Sequence, residues 1–205
     1  MAPTESLRAR KKRETARRID RAALDLFERD GFDATTVDAI AAAADISPRT
    51  FFHYFPTKEH VVLADYADRL ERVLSELAQQ PADGRPWRVV AASFAAVAED
   101  YERERDLLVR RFRIMAGTGS VFARSLQLQA GWEVDLAAVL RERGVDAPTA
   151  RLLAASAVAA MRAALQDWLL SGAGGRLPDV VQEHFEHLGR GLDQPAEPDG
   201  IDVRE

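Results

Sequence analysis

The sequence predicts an all-α protein, with an N-terminal three-helix helix-turn-helix unit joined to a larger C-terminal helical domain. Three observations predict it. No segment sustains period-two alternation of apolar and polar residues, so strands are not expected. Apolar residues recur instead at helical spacing along most of the chain. Prolines, glycines and capping residues then cut this pattern into helix-sized pieces. The length of 205 residues with 47% hydrophobic content suits one domain or two small ones with a real core.

The first helix carries Ile19, Ala22, Ala23, Leu26 and Phe27 on one stripe, and Gly31 ends it as a C-terminal cap. Thr35 or Thr36 caps a second helix with Val37, Ile40, Ala41 and Ala44 on its apolar face. A tight break follows at Asp45 and Ile46. Ser47 is a good N-cap, and Pro48 sits at the first helical position, where its missing N–H costs nothing. The third helix is short, Pro48 to about Tyr54, and Pro56 stops it. Thr57 caps a long fourth helix presenting Val62, Tyr66, Leu70, Val73 and Leu77.

Pro81 to Pro86 reads as a linker. Helices are then expected from about Trp87 to Leu108, onward to Ala116, from Val121 to Arg143, from Pro148 to Leu170, and from Pro178 to about Gly189. The boundary expectation is 1–66 for the helix-turn-helix unit, 67–193 for the larger helical domain, and 194–205 for a disordered tail rich in Pro, Asp and Gly.

Composition narrows the function classes. With no cysteine, disulfides and thiolate metal sites are excluded, and a reducing cytoplasm is the expected setting. The charged N-terminus has no apolar signal-peptide core. The longest apolar stretch, Leu152 to Met161, is too short to span a bilayer, so no membrane partner is expected. The net charge of −5 is unevenly spread. Residues 1–18 hold seven basic side chains against Glu5 and Glu14. Arg10, Lys11, Lys12 and Arg13 are therefore read as a phosphate-contacting arm, with a solvated tail as the alternative. No catalytic serine elbow or phosphate loop is present, so no enzyme and no cofactor is expected. His184 and His187 lie three apart beside acidic residues, but no third ligand is spaced for a metal, and a solvated face is the reading taken.

The short third helix carries the functional signal. In a helix-turn-helix it would enter the major groove by its N-terminal end. There Arg49 would bond guanine O6 and N7, and the Thr50 methyl would meet a thymine. Ser47, Pro48, His53 and Tyr54 complete the expected DNA-facing set, with Thr36 and Lys58 at helix starts suited to phosphate. Phe51 and Phe55 would anchor the helix on the first two. Phe52 is expected in the core.

Over about residues 12–65 the chain resembles the TetR family of one-component regulators. The resemblance rests on Ala23-Leu24-Asp25-Leu26-Phe27, Gly31-Phe32, Thr35-Thr36-Val37, Ile40-Ala41, and Thr50-Phe51-Phe52-His53-Tyr54-Phe55-Pro56-Thr57-Lys58-Glu59. Two positions depart from the family pattern. Asp45 stands where glycine is frequent, and aspartate tolerates left-handed backbone. Phe52 stands where a tyrosine hydroxyl often meets the DNA backbone.

The resemblance implies a homodimer on a palindromic operator, acting as a repressor released by a small-molecule effector. The last two helices would form the dimer interface through Ala154, Ala157, Val158, Met161, Leu165, Trp168 and Phe185. Phe94, Val97, Tyr101, Phe112, Met115, Phe122, Leu126, Trp132 and Leu136 would line an apolar pocket, or form plain core. Arg110, Arg111 and Arg113 lie near it, either as a solvated face or as partners for an anionic ligand group. Tyr101-Glu102-Arg103-Glu104-Arg105, Leu126-Gln127-Leu128-Gln129 and Trp132-Glu133 are similar to the mycofactocin-system regulators, which implies a fatty-acyl or acyl-CoA-like effector. The competing function class is a helical ligand-binding protein without specific DNA reading.

Overall fold

The computed structural model describes residues 6–81 and 85–191; within these there are ten helices and no strand. They are α1 (Leu7–Asp30), α2 (Val37–Ala43), α3 (Pro48–Tyr54), α4 (Lys58–Val62), α5 (Tyr66–Gln79), α6 (Pro86–Arg103), α7 (Arg105–Gly117), α8 (Gly119–Glu142), α9 (Ala147–Leu170) and α10 (Leu177–Arg190). The expected tail at 194–205 lies outside the described residues, as does the middle of the Pro81–Pro86 linker. No described helix is long and apolar enough to cross a membrane.

Two apolar cores organise the chain. The first is built from α1 to α4, with Ile19, Leu24, Ile40, Phe51 and Val61 fully buried, and it also takes Ile114, Met115 and Val121 from α7 and α8. The second joins α5, α6 and α8 to α10 around Leu77, Phe94, Leu136, Leu140, Trp168 and Phe185. Tyr66 and Phe112 pack against both. The C-terminal half therefore touches the N-terminal unit through α7, α8 and the start of α5, so displacements there have a mechanical route to the other core.

The single fourth helix expected from the sequence is broken. α4 ends at Val62, and three residues of turn precede α5 at Tyr66. The cause is an arginine from elsewhere. Arg111 of α7 donates to the carbonyls of Val61 and Val62, the latter at 3.0 Å. A continuous helix would give those carbonyls to the N–H groups of residues 65 and 66. The Tyr66 N–H bonds Leu63 instead. The α6–α7 junction also falls earlier than expected, at Glu104, where neither proline nor glycine marks it.

α10 is pinned to α6 by Trp87. Its indole stacks on Phe185, with centroids 5.3 Å apart, and donates to the Phe185 carbonyl at 3.0 Å. Gly189 leaves the room: a Cβ there would sit 2.7 Å from Trp87 Nε1. Gly189→Ala is expected to displace the indole at a cost of about 1–3 kcal/mol, more than the roughly 1 kcal/mol of helix propensity it returns. A lowered thermal midpoint is the expected readout; an unchanged or raised one would contradict this packing.

Candidate functional site

The N-terminal unit presents α3 as a rigid, polar-faced helix. The Ser47 side chain accepts from the Thr50 N–H at 3.1 Å and lies 2.8 Å from the Thr50 hydroxyl, so the cap is closed and Pro48 starts the first turn. Asp45 carries the turn with φ 51°, the left-handed geometry its short polar side chain tolerates. Phe51 and Phe55 are buried and hold the helix on the first core. Arg49 and His53 are exposed, and Tyr54 is half-buried with its ring edge-on to His53. Thr36 caps α2 by accepting from the Ala39 N–H at 3.1 Å.

Three expectations change here. Phe52 is not core: it is 54% exposed on the same helix as Arg49. At one residue past Phe51, it points away from the face that Phe51 buries. Lys58 is drawn inward. Its ammonium donates to the carbonyls of Phe32 and Thr35 at 2.8 and 2.7 Å and sits over the Phe32 ring, so it ties the α1–α2 loop to α4. Arg10, Lys11, Lys12 and Arg13 are exposed around the first turns of α1, so the expected arm is helical.

The second feature is a partly open cavity of about 440 Å³ lined by α5 to α9. Phe94, Tyr101, Phe112, Met115, Phe122 and Trp132 line it. Val97 and Leu136 do not; they are buried in the adjoining core. Leu126 stands on the outer side of α8, 38% exposed.

The dimer-interface set is also corrected. Ala154, Ala157, Val158, Met161, Leu165, Trp168 and Phe185 are all buried within one chain, and Val158, Met161 and Leu165 line the cavity. A side chain already buried in its own protomer has no surface left for a partner. On the open sides of α9 and α10, Ser156, Ala159, Ala163, Val180, His184 and His187 border a shallow groove, and of the expected set only Trp168 also lines it. His184 there sits 2.8 Å from Asp167 and 2.9 Å from the Val180 carbonyl.

Polar cavity residues were missed by periodicity, because arginine and glutamine read as surface. Arg69, 5% exposed, pairs with Asp65 one helical turn earlier and lies 4.1 Å over the Tyr101 ring. Burial pushes the Tyr101 hydroxyl up to about 12, against the pull of Arg69, so the phenol stays protonated. Arg162 donates to Gln129 at 3.0 Å.

Arg110 and Arg111 face the N-terminal unit instead of the cavity. Arg110 bonds Asp25 and Glu28 of α1 at 2.6–2.8 Å. Arg111, buried, pairs with Asp20 of α1 at 2.7 Å besides its two carbonyls on α4. Burial raises the Asp20 carboxyl, and the Arg111 charge opposes that rise. Arg113 is exposed. Neighbouring residues of α7 thus serve different partners: Arg111 grips α1 and α4, and Phe112 faces the cavity.

Comparison with known proteins places this architecture. Residues 19–64 match the model for bacterial regulatory proteins of the tetR family, and residues 85–193 match the MftR C-terminal domain. The chain belongs to the TetR family. It is 35% identical over 147 residues to the HTH-type transcriptional regulator TcmR of Streptomyces glaucescens, across 68% of this chain and 65% of TcmR. It is 26% identical to the putative mycofactocin biosynthesis transcriptional regulator MftR of Mycobacterium tuberculosis, across 94% of this chain and 98% of MftR. Among solved structures it resembles the TetR-family repressor FadR of Thermus thermophilus in complex with lauroyl-CoA. That match has a TM-score of 0.57 and 29% identity, over 89% of this chain and 97% of FadR. This TetR-family chain is accordingly a transcriptional regulator and not an enzyme.

Proposed function

We propose that the chain is a dimeric repressor that releases a palindromic operator when a small, largely apolar effector of fatty-acyl character enters the α5–α9 cavity. The observation that carries this reading is the division of labour on α7. Phe112 lines the cavity, while the adjacent Arg111 clamps Asp20 of α1 and the end of α4. An effector that shifts α7 must strain that clamp, and with it the spacing of the two α3 helices in a dimer. Ligand and DNA then compete through one equilibrium.

Arg49 reads a base, and Ser47, Pro48, Thr50, His53 and Tyr54 fill out the contact. Thr36 and the basic first turns of α1 meet phosphate. Dimerisation uses the open faces of α9 and α10, where the small side chains Ser156, Ala159 and Ala163 let backbones approach and exposed Leu152 and Leu170 offer apolar area. The relative with a bound lauroyl-CoA supports the class of effector.

The test is operator affinity of the full chain with and without dodecanoate or lauroyl-CoA. Weaker DNA binding with either compound is the expected result; equal affinity with both would remove the coupling. The dimer is checked by sedimentation, with Ala159→Arg expected to give monomers.

A further inference from the structure

The cavity wall carries polar side chains among its aromatic rings, with Arg69, Gln129 and Arg162 beside Phe94, Tyr101 and Trp132. Arg69 Nε is buried without a partner. Tyr101, 4% exposed, places its ring beneath the Arg69 guanidinium at the cavity wall. The Tyr66 hydroxyl donates to the Met115 sulfur at 3.7 Å, a weak acceptor, with Gln129 and Ser125 also in hydrogen-bonding position beside it. The one carboxylate of the wall among the described residues, Asp167, is exposed and held by His184 at 2.8 Å.

Charge is unevenly compensated. Arg69 is neutralised by Asp65, and Arg111 behind it by Asp20. Arg162 is half-buried, lines the cavity and donates to the Gln129 amide oxygen, and among the described residues no carboxylate forms an ion pair with it. A half-buried guanidinium facing an aromatic chamber without a counter-charge favours an anion, and a charge-assisted bond there is stronger than a neutral one.

We propose that the effector is an apolar carboxylic acid bound as its free carboxylate, with Arg162 as the counter-charge and its apolar body among Phe94, Phe112 and Trp132. The inference rests on the effector cavity proposed above and narrows its ligand. It assigns the acidic group to the protein's own guanidinium and not to a bulky thioester carrier.

The test is calorimetric titration of the full chain with dodecanoate, 1-dodecanol and lauroyl-CoA. Dodecanoate is expected to bind at least about tenfold more tightly than dodecanol, the gain of one charge-assisted bond. In Arg162→Gln the two are expected to bind within about threefold of each other. An unchanged thermal midpoint of the ligand-free variant shows the fold intact. Equal binding of acid and alcohol by the unaltered protein, or an acid preference that survives Arg162→Gln, overturns the assignment. Binding of lauroyl-CoA without binding of dodecanoate overturns it too, while leaving the effector cavity standing. Binding of none of the three overturns both.

Discussion

Replacing Arg111 by methionine is expected to destabilise the protein by about 3–5 kcal/mol, the cost of leaving a buried charge unpaired. The side chain meets three groups at once: the Asp20 carboxylate at 2.7 Å and the carbonyls of Val61 and Val62 at the broken end of α4. Methionine keeps most of the volume and supplies none of the donors. Asp20, already raised by burial, would rise further once its counter-charge is gone. The sign follows. The variant's native state then takes up a proton more readily than the unfolded chain as pH falls, so its deficit should shrink from pH 8 toward pH 5. Urea unfolding at several pH values reads both. A loss below about 1 kcal/mol, or a deficit independent of pH, would show that Arg111 is not the clamp. The same variant should weaken the response of operator binding to effector, because it cuts the contact through which α7 grips α1 and α4.

The second large effect concerns the reading helix. Arg49→Ala is expected to lose about 1–3 kcal/mol of discrimination at one base pair of each half-site. Both half-sites lose it in a dimer, so operator affinity falls substantially while non-specific binding changes little. Arg49 is exposed on α3 and makes no hydrogen bond or ion pair among the described residues. Stability should therefore be unaltered, which separates this variant from Lys58→Ala. Lys58 holds two backbone carbonyls, and its removal is expected to loosen the unit as well as to weaken binding. Lys11→Ala and Lys12→Ala, in the basic first turns of α1, should weaken binding to all sequences, each with a salt slope shallower by about 1. An Arg49→Ala protein with unchanged base preference would move the reader elsewhere, and exposed Phe52 would be the next residue to replace.

The N-terminal unit was legible because its signals are local. The cap Ser47, the proline after it, the φ-tolerant Asp45 and the anchors Phe51 and Phe55 each act within a few residues of chain. Phe52 was misplaced because an aromatic residue in a short amphipathic helix reads as core, and only the neighbouring anchor decides which ring is buried. In the larger half the helices were legible but their faces were not. α9 is apolar nearly all round, so Met161 and Leu165 read equally well as interface or as cavity wall. The α4–α5 break left no trace in the local pattern. Its cause is Arg111, about fifty positions away, and only tertiary structure brings it to Val61 and Val62. Arg69 and Arg162 were invisible for a related reason: a charged side chain is assigned to solvent until its partners are known.

The most direct test of the account is selection of random DNA duplexes by the full chain at low salt. The predicted result is an enriched palindrome whose half-sites lie about one helical turn, or slightly more, apart, the spacing that two α3 helices related by a two-fold axis would impose. Recovery of no enriched sequence would contradict specific DNA reading, and with it the assignment of α3 as the element that delivers function.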